Sequence, residues 1–455
     1  MSFGKGTCLN MLDVFWEQIK SGSDIRGVAT DSVKAEEISL TNEVVEKICL
    51  AFAKWISEKM RLGYPSITIA VGHDSRNSAL RIKNASINAL RSVGVNVYDC
   101  SLSSTPAMFM ATTVLACTAS IEITASHHPS NRNGFKFFTS TGGLSEIDVE
   151  EILQFAQDDN FPTIGKRGNV RSINLMNYYC ESLRNLIKEG INSKENHDEP
   201  LKNFRIIVDA GNGAGGFFAD DVLKPLGANT EGSVFLEPDG NFPNHMPNPE
   251  NAEVMKYVSN ATLKAGADLG IIFDTDVDRV AVVDAGGKAI EKNKLIALAS
   301  IIALKNSPNG VIVTDSVTSD YLKIFIEKLG GTQFRYKRGY HNVISMAKKI
   351  NENGSDCPLA IESSGHAAFK ENKFIDDGAY LAAKIIIEMV NLRTKNKTLN
   401  DSIKDLVDAK EQVSIRIPIQ GDNIASLANK ILLDMKNYSA SNKSFDLEED
   451  NIEGV

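Results

Sequence analysis

The stretch Leu269-Gly-Ile-Ile-Phe-Asp-Thr-Asp-Val-Asp-Arg-Val-Ala-Val-Val283 decides the fold. An apolar run, LGIIF, leads into carboxylates at the alternate positions Asp274, Asp276 and Asp278, and a second apolar run, VAVV, follows Arg279. Short apolar runs bounded by polar residues read as buried strands, which should bury the flanks of the loop between them. Three carboxylates just past a strand can converge on one hard cation. Mg²⁺ suits them, because it takes oxygen ligands and keeps positions open for phosphate oxygens. A lone DxD reads as a solvated acidic turn; the third Asp and the apolar flanks favour a metal. An EF-hand is excluded, since no Gly or distal Glu stands at the required offsets.

Outward from this loop the same plan recurs. Ser66–Val71 (SITIAV) ends at GHDSR, Phe204–Val208 (FRIIV) at DAGNGAGG, and Gly310–Val313 (GVIV) at TDSVTSD. Each is followed by a helical pattern, the mark of α/β layering with mostly parallel strands. A second set of apolar runs ends in unusual polar loops. Thr118–Thr124 enters ASHHPSNRNG, and Pro358–Ile361 enters ESSGH. In open α/β sheets ligands bind beyond the carboxyl ends of strands. Linkers are expected at Asp158–Arg167, near Asp284–Lys294 and near Thr394–Leu399.

A chain of 455 residues allows about three domains. Its formal net charge of −9 argues against non-specific nucleic-acid binding, which needs clustered positive charge. The six cysteines are scattered, with no CxxC pair, which fits a reducing compartment. The N-terminus lacks the apolar core of a signal peptide, and Leu295–Leu304 is about half the length needed to span a bilayer. The expectation is a cytoplasmic protein with no membrane and no nucleic-acid partner.

Two further loops carry chemistry. In Thr124-Ala-Ser-His-His-Pro129, Ser126 lies among small residues and is open to attack or phosphorylation; His127 and His128 offer donors, and Lys136 can neutralise charge or move a proton. In Glu362-Ser-Ser-Gly-His366, a carboxylate and a hydroxyl on one turn suit vicinal sugar hydroxyls, a weak signal taken alone. Gly211, Gly213 and Gly216 satisfy GxGxxG, but Asp209 at the strand tip would face a pyrophosphate. Close backbone packing is the preferred reading of those glycines.

In these loops the sequence resembles the α-D-phosphohexomutase superfamily. The resemblance rests on SDIRG (Ser23–Gly27), TASHHPSNRNGFK (Thr124–Lys136), DTDVDR (Asp274–Arg279), KRGYHNVI (Lys337–Ile344) and ESSGH, in the family's order, with EPDGNFPNHMPNPE (Glu237–Glu250) between them. It implies three similar α/β domains with mixed, mainly parallel sheets, at 1–162, 163–287 and 288–405. A partial C-terminal α+β domain at 406–455 is implied as well. Ser126 would be the phosphoserine, and Asp274, Asp276 and Asp278 with Ser126 would hold Mg²⁺. Arg26, Lys136 and His366 would serve charge stabilisation and proton transfer. Arg279, Lys337, Arg338, His341, Glu362 and Ser364 would bind substrate.

The implied activity interconverts hexose 1-phosphate and hexose 6-phosphate through a bound hexose 1,6-bisphosphate, in a monomer or dimer. Where the family usually has Lys two residues after the domain 3 Gly, this chain has His341. EQVSIRIPI (Glu411–Ile419) resembles the fourth domain's first strand, and the sequence reaches Val455 without the family's Arg/Ser/Gly/Thr-rich phosphate loop. A weakened hold on the non-reacting phosphate is therefore expected. Two other readings compete with a mutase: a degenerate sugar-phosphate-binding protein, and a metal-dependent phosphatase with Asp274 as nucleophile.

Overall fold

Sixteen strands form three sheets in the computed structural model, which describes residues 11–33, 36–163, 165–408, 419, 424–442, 444 and 452–453. The first sheet holds β1 (Lys20–Ser21), β2 (Asp24–Val28), β3 (Thr68–His73), β4 (Asn96–Leu102), β5 (Ala119–Ile123), β6 (Arg132–Thr139), β7 (Gly142–Gly143) and β8 (Val170–Ser172). Its order is β1-β2-β6-β5-β3-β4-β8, with β7 on β6. The pairs β5–β3, β3–β4 and β4–β8 are parallel, and β1–β2, β2–β6 and β5–β6 are antiparallel. The second sheet runs β12-β11-β10-β9, from β9 (Ile206–Asp209), β10 (Leu269–Phe273), β11 (Val280–Asp284) and β12 (Ala289–Ile290). The third runs β14-β13-β15-β16, from β13 (Val311–Asp315), β14 (Thr332–Tyr336), β15 (Leu359–Ile361) and β16 (Ala367–Phe369). These are mixed α/β sheets, with β10–β11 and β11–β12 antiparallel beside the parallel pair β9–β10. Several strands run a residue or two beyond their apolar core, because Gly72, His73 and Asp315 still pair with neighbouring strands.

The chain divides into two compact units. The first comprises Met1–Ile290, Ser364–Ala367 and Ile375–Thr398; the second comprises Glu291–Ser363, Ala368–Phe374 and Leu399–Val455. In the first unit, strands β3 and β5 are buried along nearly their whole length, between helices on the two faces of the sheet. Phe52 of the helix Asn42–Met60 packs on Phe137 of β6 with ring centroids 4.4 Å apart, at the centre of a core that includes Trp55, Ile69, Val71 and Ile121.

Helix ends are set locally. Ser145 and Asp148 form a reciprocal capping box on the helix Glu146–Asp158. Ser104 caps the helix Thr105–Val114, whose second residue, Pro106, has no N–H to lose there. Among the described residues, no helix is long and apolar enough to cross a membrane. The described cysteines are buried and unpaired. The strand expected at Glu411–Ile419 lies outside the described residues, save Ile419.

Candidate active site

Three strand ends build the site in the first unit. β3 and β5 are parallel neighbours, so Asp74–Arg76 and Thr124–Ser126 leave the sheet side by side. β10 delivers Asp274–Asp278 from the second sheet. Ser126 adopts a left-handed backbone, φ 47°, which L-residues adopt only when their surroundings fix it. Its N–H donates to Thr124 Oγ1 at 2.8 Å, and Thr124 Oγ1 donates to Asp74 Oδ2 at 2.8 Å. Arg76, with its side chain 0% exposed, grips the loop further. Its guanidinium donates to the carbonyls of Ser126, His128 (2.7 Å), Pro129 (2.7 Å) and Arg132 (2.8 Å), and to Asp74 Oδ2 (3.2 Å).

So held, the Ser126 hydroxyl donates to Asp274 Oδ2 at 2.9 Å and accepts from Arg279 Nη2 at 3.1 Å. Arg279, expected to bind substrate, is only 1% exposed and also donates to Asp274 Oδ2 through Nε (3.0 Å) and Nη2 (2.9 Å). Glu250 Oε2 lies 3.5 Å from Arg279 Nη1 on its other flank. Lys136 Nζ donates to Asp276 Oδ2 at 2.9 Å and to Asp278 Oδ2. Arg26 donates to the carbonyl of Ala125 (2.9 Å) and to Asp24 Oδ2 (2.8 Å). His366 places Nδ1 2.9 Å from Ser364 Oγ, while Nε2 lies 3.6 Å from Asp278 Oδ1 and 3.7 Å from Asp376 Oδ2. The first unit thus brings Ser126, Arg26, Lys136, Asp274, Asp276, Asp278, Arg279, Ser364 and His366 into one linked neighbourhood.

In the second unit, Glu362 is buried and its Oε1 accepts the Gly339 N–H at 2.6 Å. Ser363 donates to Asp315 Oδ2 at 2.6 Å. Lys337 and Arg338 are exposed, and His341 Nε2 stands 3.3 Å from Ser345 Oγ.

The acidic loop has the donor set of a hard-cation site. Each of Asp274, Asp276 and Asp278 offers an oxygen within 4.8 Å of the others. Asp276 Oδ1 and Asp278 Oδ1 are buried without a hydrogen-bond partner, a costly state that a cation would relieve. Burial and the neighbouring Asp278 push the Asp274 carboxyl up, with Arg279 opposing. Burial also works against ionised Asp278, but Lys136, His366 and Arg279 hold it well below the carboxylate range. Burial, with Arg279, His128 and Arg26 close by, drives His127 down to about 2; burial, Arg26 and Arg76 drive His128 down to about 4. Both rings are therefore neutral at pH 7, so each can offer one N–H but no charge.

The glycine turn after β9 serves this loop. Gly211 takes φ 51°, and a Cβ on Gly213 would sit 2.7 Å from the Thr275 carbonyl, which accepts the Ala214 N–H at 2.8 Å. Asp209 bonds His245 Nε2 through both oxygens at 3.1 Å, so the strand tip is already occupied by a side chain.

Glu122 escaped sequence reasoning. It is fully buried on β5, opposite Lys136 across the β5–β6 register, and neither carboxyl oxygen has a hydrogen-bond partner. Burial, then Asp74 and Asp276, push its pKa well above the ordinary 4.5, against the pull of Lys136. The folded chain therefore retains a proton that the unfolded chain releases above pH 4.5. Stability should fall as pH rises from that point, by about 1.4 kcal/mol per unit, until the folded-state carboxyl itself ionises. Glu122→Gln is expected to remove this slope, and thermal midpoints of both proteins at pH 5.5 and 8 check it. Equal slopes would show that Glu122 ionises alike in both states.

Comparison with known proteins places the chain among its relatives. The phosphoglucomutase/phosphomannomutase α/β/α domains I, II and III match residues 17–162, 177–287 and 291–409. A phosphomannomutase/phosphoglucomutase of Pseudomonas syringae pv. tomato is 31% identical over 369 residues, covering 80% of this chain and 72% of the relative. A phosphomannomutase of Escherichia coli is 30% identical over 400 residues, covering 86% and 81%. The crystal structure of a phosphoglucomutase/phosphomannomutase family protein from Burkholderia thailandensis superposes with a TM-score of 0.73 at 27% identity, over 88% of this chain and 81% of that one. The fold is that of the α-D-phosphohexomutase superfamily. Within that superfamily the chain belongs to the phosphoglucomutase/phosphomannomutase family.

Proposed function

We propose that the chain interconverts hexose 1-phosphate and hexose 6-phosphate, with Ser126 as the phosphorylated residue and a hexose 1,6-bisphosphate as the bound intermediate. One observation carries the reading: the Ser126 hydroxyl stands within hydrogen-bond distance of both Asp274 and Arg279. A phosphoryl group on Ser126 would meet the cationic Arg279 and the acidic loop at once. In the first transfer the O–P bond of phosphoserine breaks and an O–P bond to the free sugar hydroxyl forms. The proton of that hydroxyl leaves to a neighbouring base, His366, while Lys136 stays an ammonium paired with Asp276 and Asp278. The second transfer runs in reverse, with the other phosphate returning to Ser126.

Asp274, Asp276 and Asp278, with Ser126, would hold Mg²⁺, which when bound would offset charge on the transferred phosphoryl oxygens. Arg279 holds the seryl oxygen in place, and Arg26 and Lys136 supply fixed positive charge beside it. Lys337, Arg338 and His341 would contact substrate phosphate, and Glu362 and Ser364 the sugar's 3- and 4-hydroxyls.

The test is turnover of glucose 1-phosphate and mannose 1-phosphate with added bisphosphate, in EDTA and after Mg²⁺ is restored. Activity should vanish in chelator and return with Mg²⁺. Full turnover in EDTA would remove the metal from the reading, and no turnover with any hexose phosphate would favour a binding role.

A further inference from the structure

We propose that Thr105 is a positioning residue for the cation site, fixing the Asp276 carboxylate so that one oxygen stays available to the metal. The inference rests on the reading of the acidic loop as that site. Thr105 opens the helix Thr105–Val114 in the first family domain, and Asp276 follows β10 in the second, 171 residues further along the chain. Thr105 Oγ1 donates to Asp276 Oδ2 at 2.6 Å, and the Thr105 N–H donates to the Asp276 carbonyl at 2.9 Å. One residue thus grips both the backbone and the side chain of Asp276.

The consequence is geometric. With the backbone fixed, a planar carboxylate anchored at Oδ2 has little freedom left, so the direction of Oδ1 is set as well. That oxygen is buried without a hydrogen-bond partner. Lys136 Nζ also bonds Oδ2 at 2.9 Å, but its ammonium is shared with Asp278 and sits on a flexible stem. Lys136 neutralises charge at that oxygen while divided between two carboxylates. The Thr105 hydroxyl comes from a β-branched side chain with few χ1 options, on the first turn of a capped helix. Thr105 is 5% exposed and Asp276 0%, so water has no ready path to replace the hydroxyl. Partners of this kind, one bond away from a metal ligand, typically govern affinity by roughly tenfold to hundredfold.

The experiment is calorimetric titration of the full chain with Mg²⁺, without phosphosugar, so that the readout is affinity rather than turnover. Thr105→Val keeps the shape and removes the donor; its Kd for Mg²⁺ should rise roughly tenfold to hundredfold. Thr105→Ala, a second variant without the hydroxyl, should behave alike should Thr105→Val fail to fold. Thr105→Ser keeps the donor and should bind nearly as wild type does. Wild-type affinity in the variants without a hydroxyl, or equal loss in Thr105→Ser, overturns the role of Thr105 alone. No Mg²⁺ binding by the wild-type chain overturns the metal reading and this inference with it.

Discussion

Ser126→Ala should abolish mutase turnover, by a factor on the order of 10³ or more, and leave the fold intact. The loss is large because nothing near Ser126 can replace it as the phosphate carrier. The two neighbouring imidazoles are neutral, and the nearest carboxylate, Asp274, is bound through Oδ2 by Arg279. The fold should survive because alanine meets the same left-handed backbone as serine, and the Arg76 bond to the residue's carbonyl does not depend on the side chain. Phosphopeptide mapping of the wild-type chain should place the label on Ser126. A label on Asp274 would favour the phosphatase reading instead.

Arg76→Leu should be nearly as damaging, through structure. Leucine removes the guanidinium donors to the carbonyls of Ser126, His128, Pro129 and Arg132, of which Pro129 keeps the Arg132 N–H, and leaves Asp74 fully buried without its guanidinium. Breaking a buried ion pair by removing one partner costs about 3–5 kcal/mol, and each stranded carbonyl adds to that. The cost should appear as a drop of several degrees in thermal midpoint. Surviving folded protein should also lose turnover, because the loop no longer holds Ser126 at Asp274. Arg76→Lys should not rescue it: an ammonium has three donors at one point, and cannot span carbonyls spread over seven residues as a planar fork does. Wild-type turnover in a folded Arg76→Lys protein would show that the loop keeps its shape unaided.

What the sequence made legible was local. The apolar runs marked strands because burial demands apolar side chains on both faces of a covered sheet. The acidic loop stood out because three carboxylates at alternate positions sit between two such runs. Even there the sequence could not show that Lys136 lies on two of those carboxylates, since that contact closes across about 140 residues. Arg76 was hidden for the same reason; an Asp-x-Arg at a strand end is a faint hint, but its partners lie some fifty residues on. Glu122 looked like an ordinary polar position in a strand, and only the sheet order reveals that both its neighbours bury it. For Arg279, too, the sequence could not show that its guanidinium donates to the serine hydroxyl, a contact that closes across 153 residues.

The pairing of the first two sheets also bears on how such chains can be inherited. Lys136 and Thr105 are encoded in the stretch that matches domain I, and the carboxylates they hold in the stretch that matches domain II. Gly240, with Asn241 bonding Asn77 at 2.7 Å, tightens the same seam, because a Cβ on Gly240 would meet the Asn77 backbone nitrogen at 2.3 Å. A recombination that joined one ancestor's residues up to about 170 to another's from about 206 would exchange partners across this seam. Where the two ancestors differ at these positions, it would set buried charges against side chains that do not answer them. The two stretches are therefore expected to be inherited as one block, though in sequence they read as separate domains.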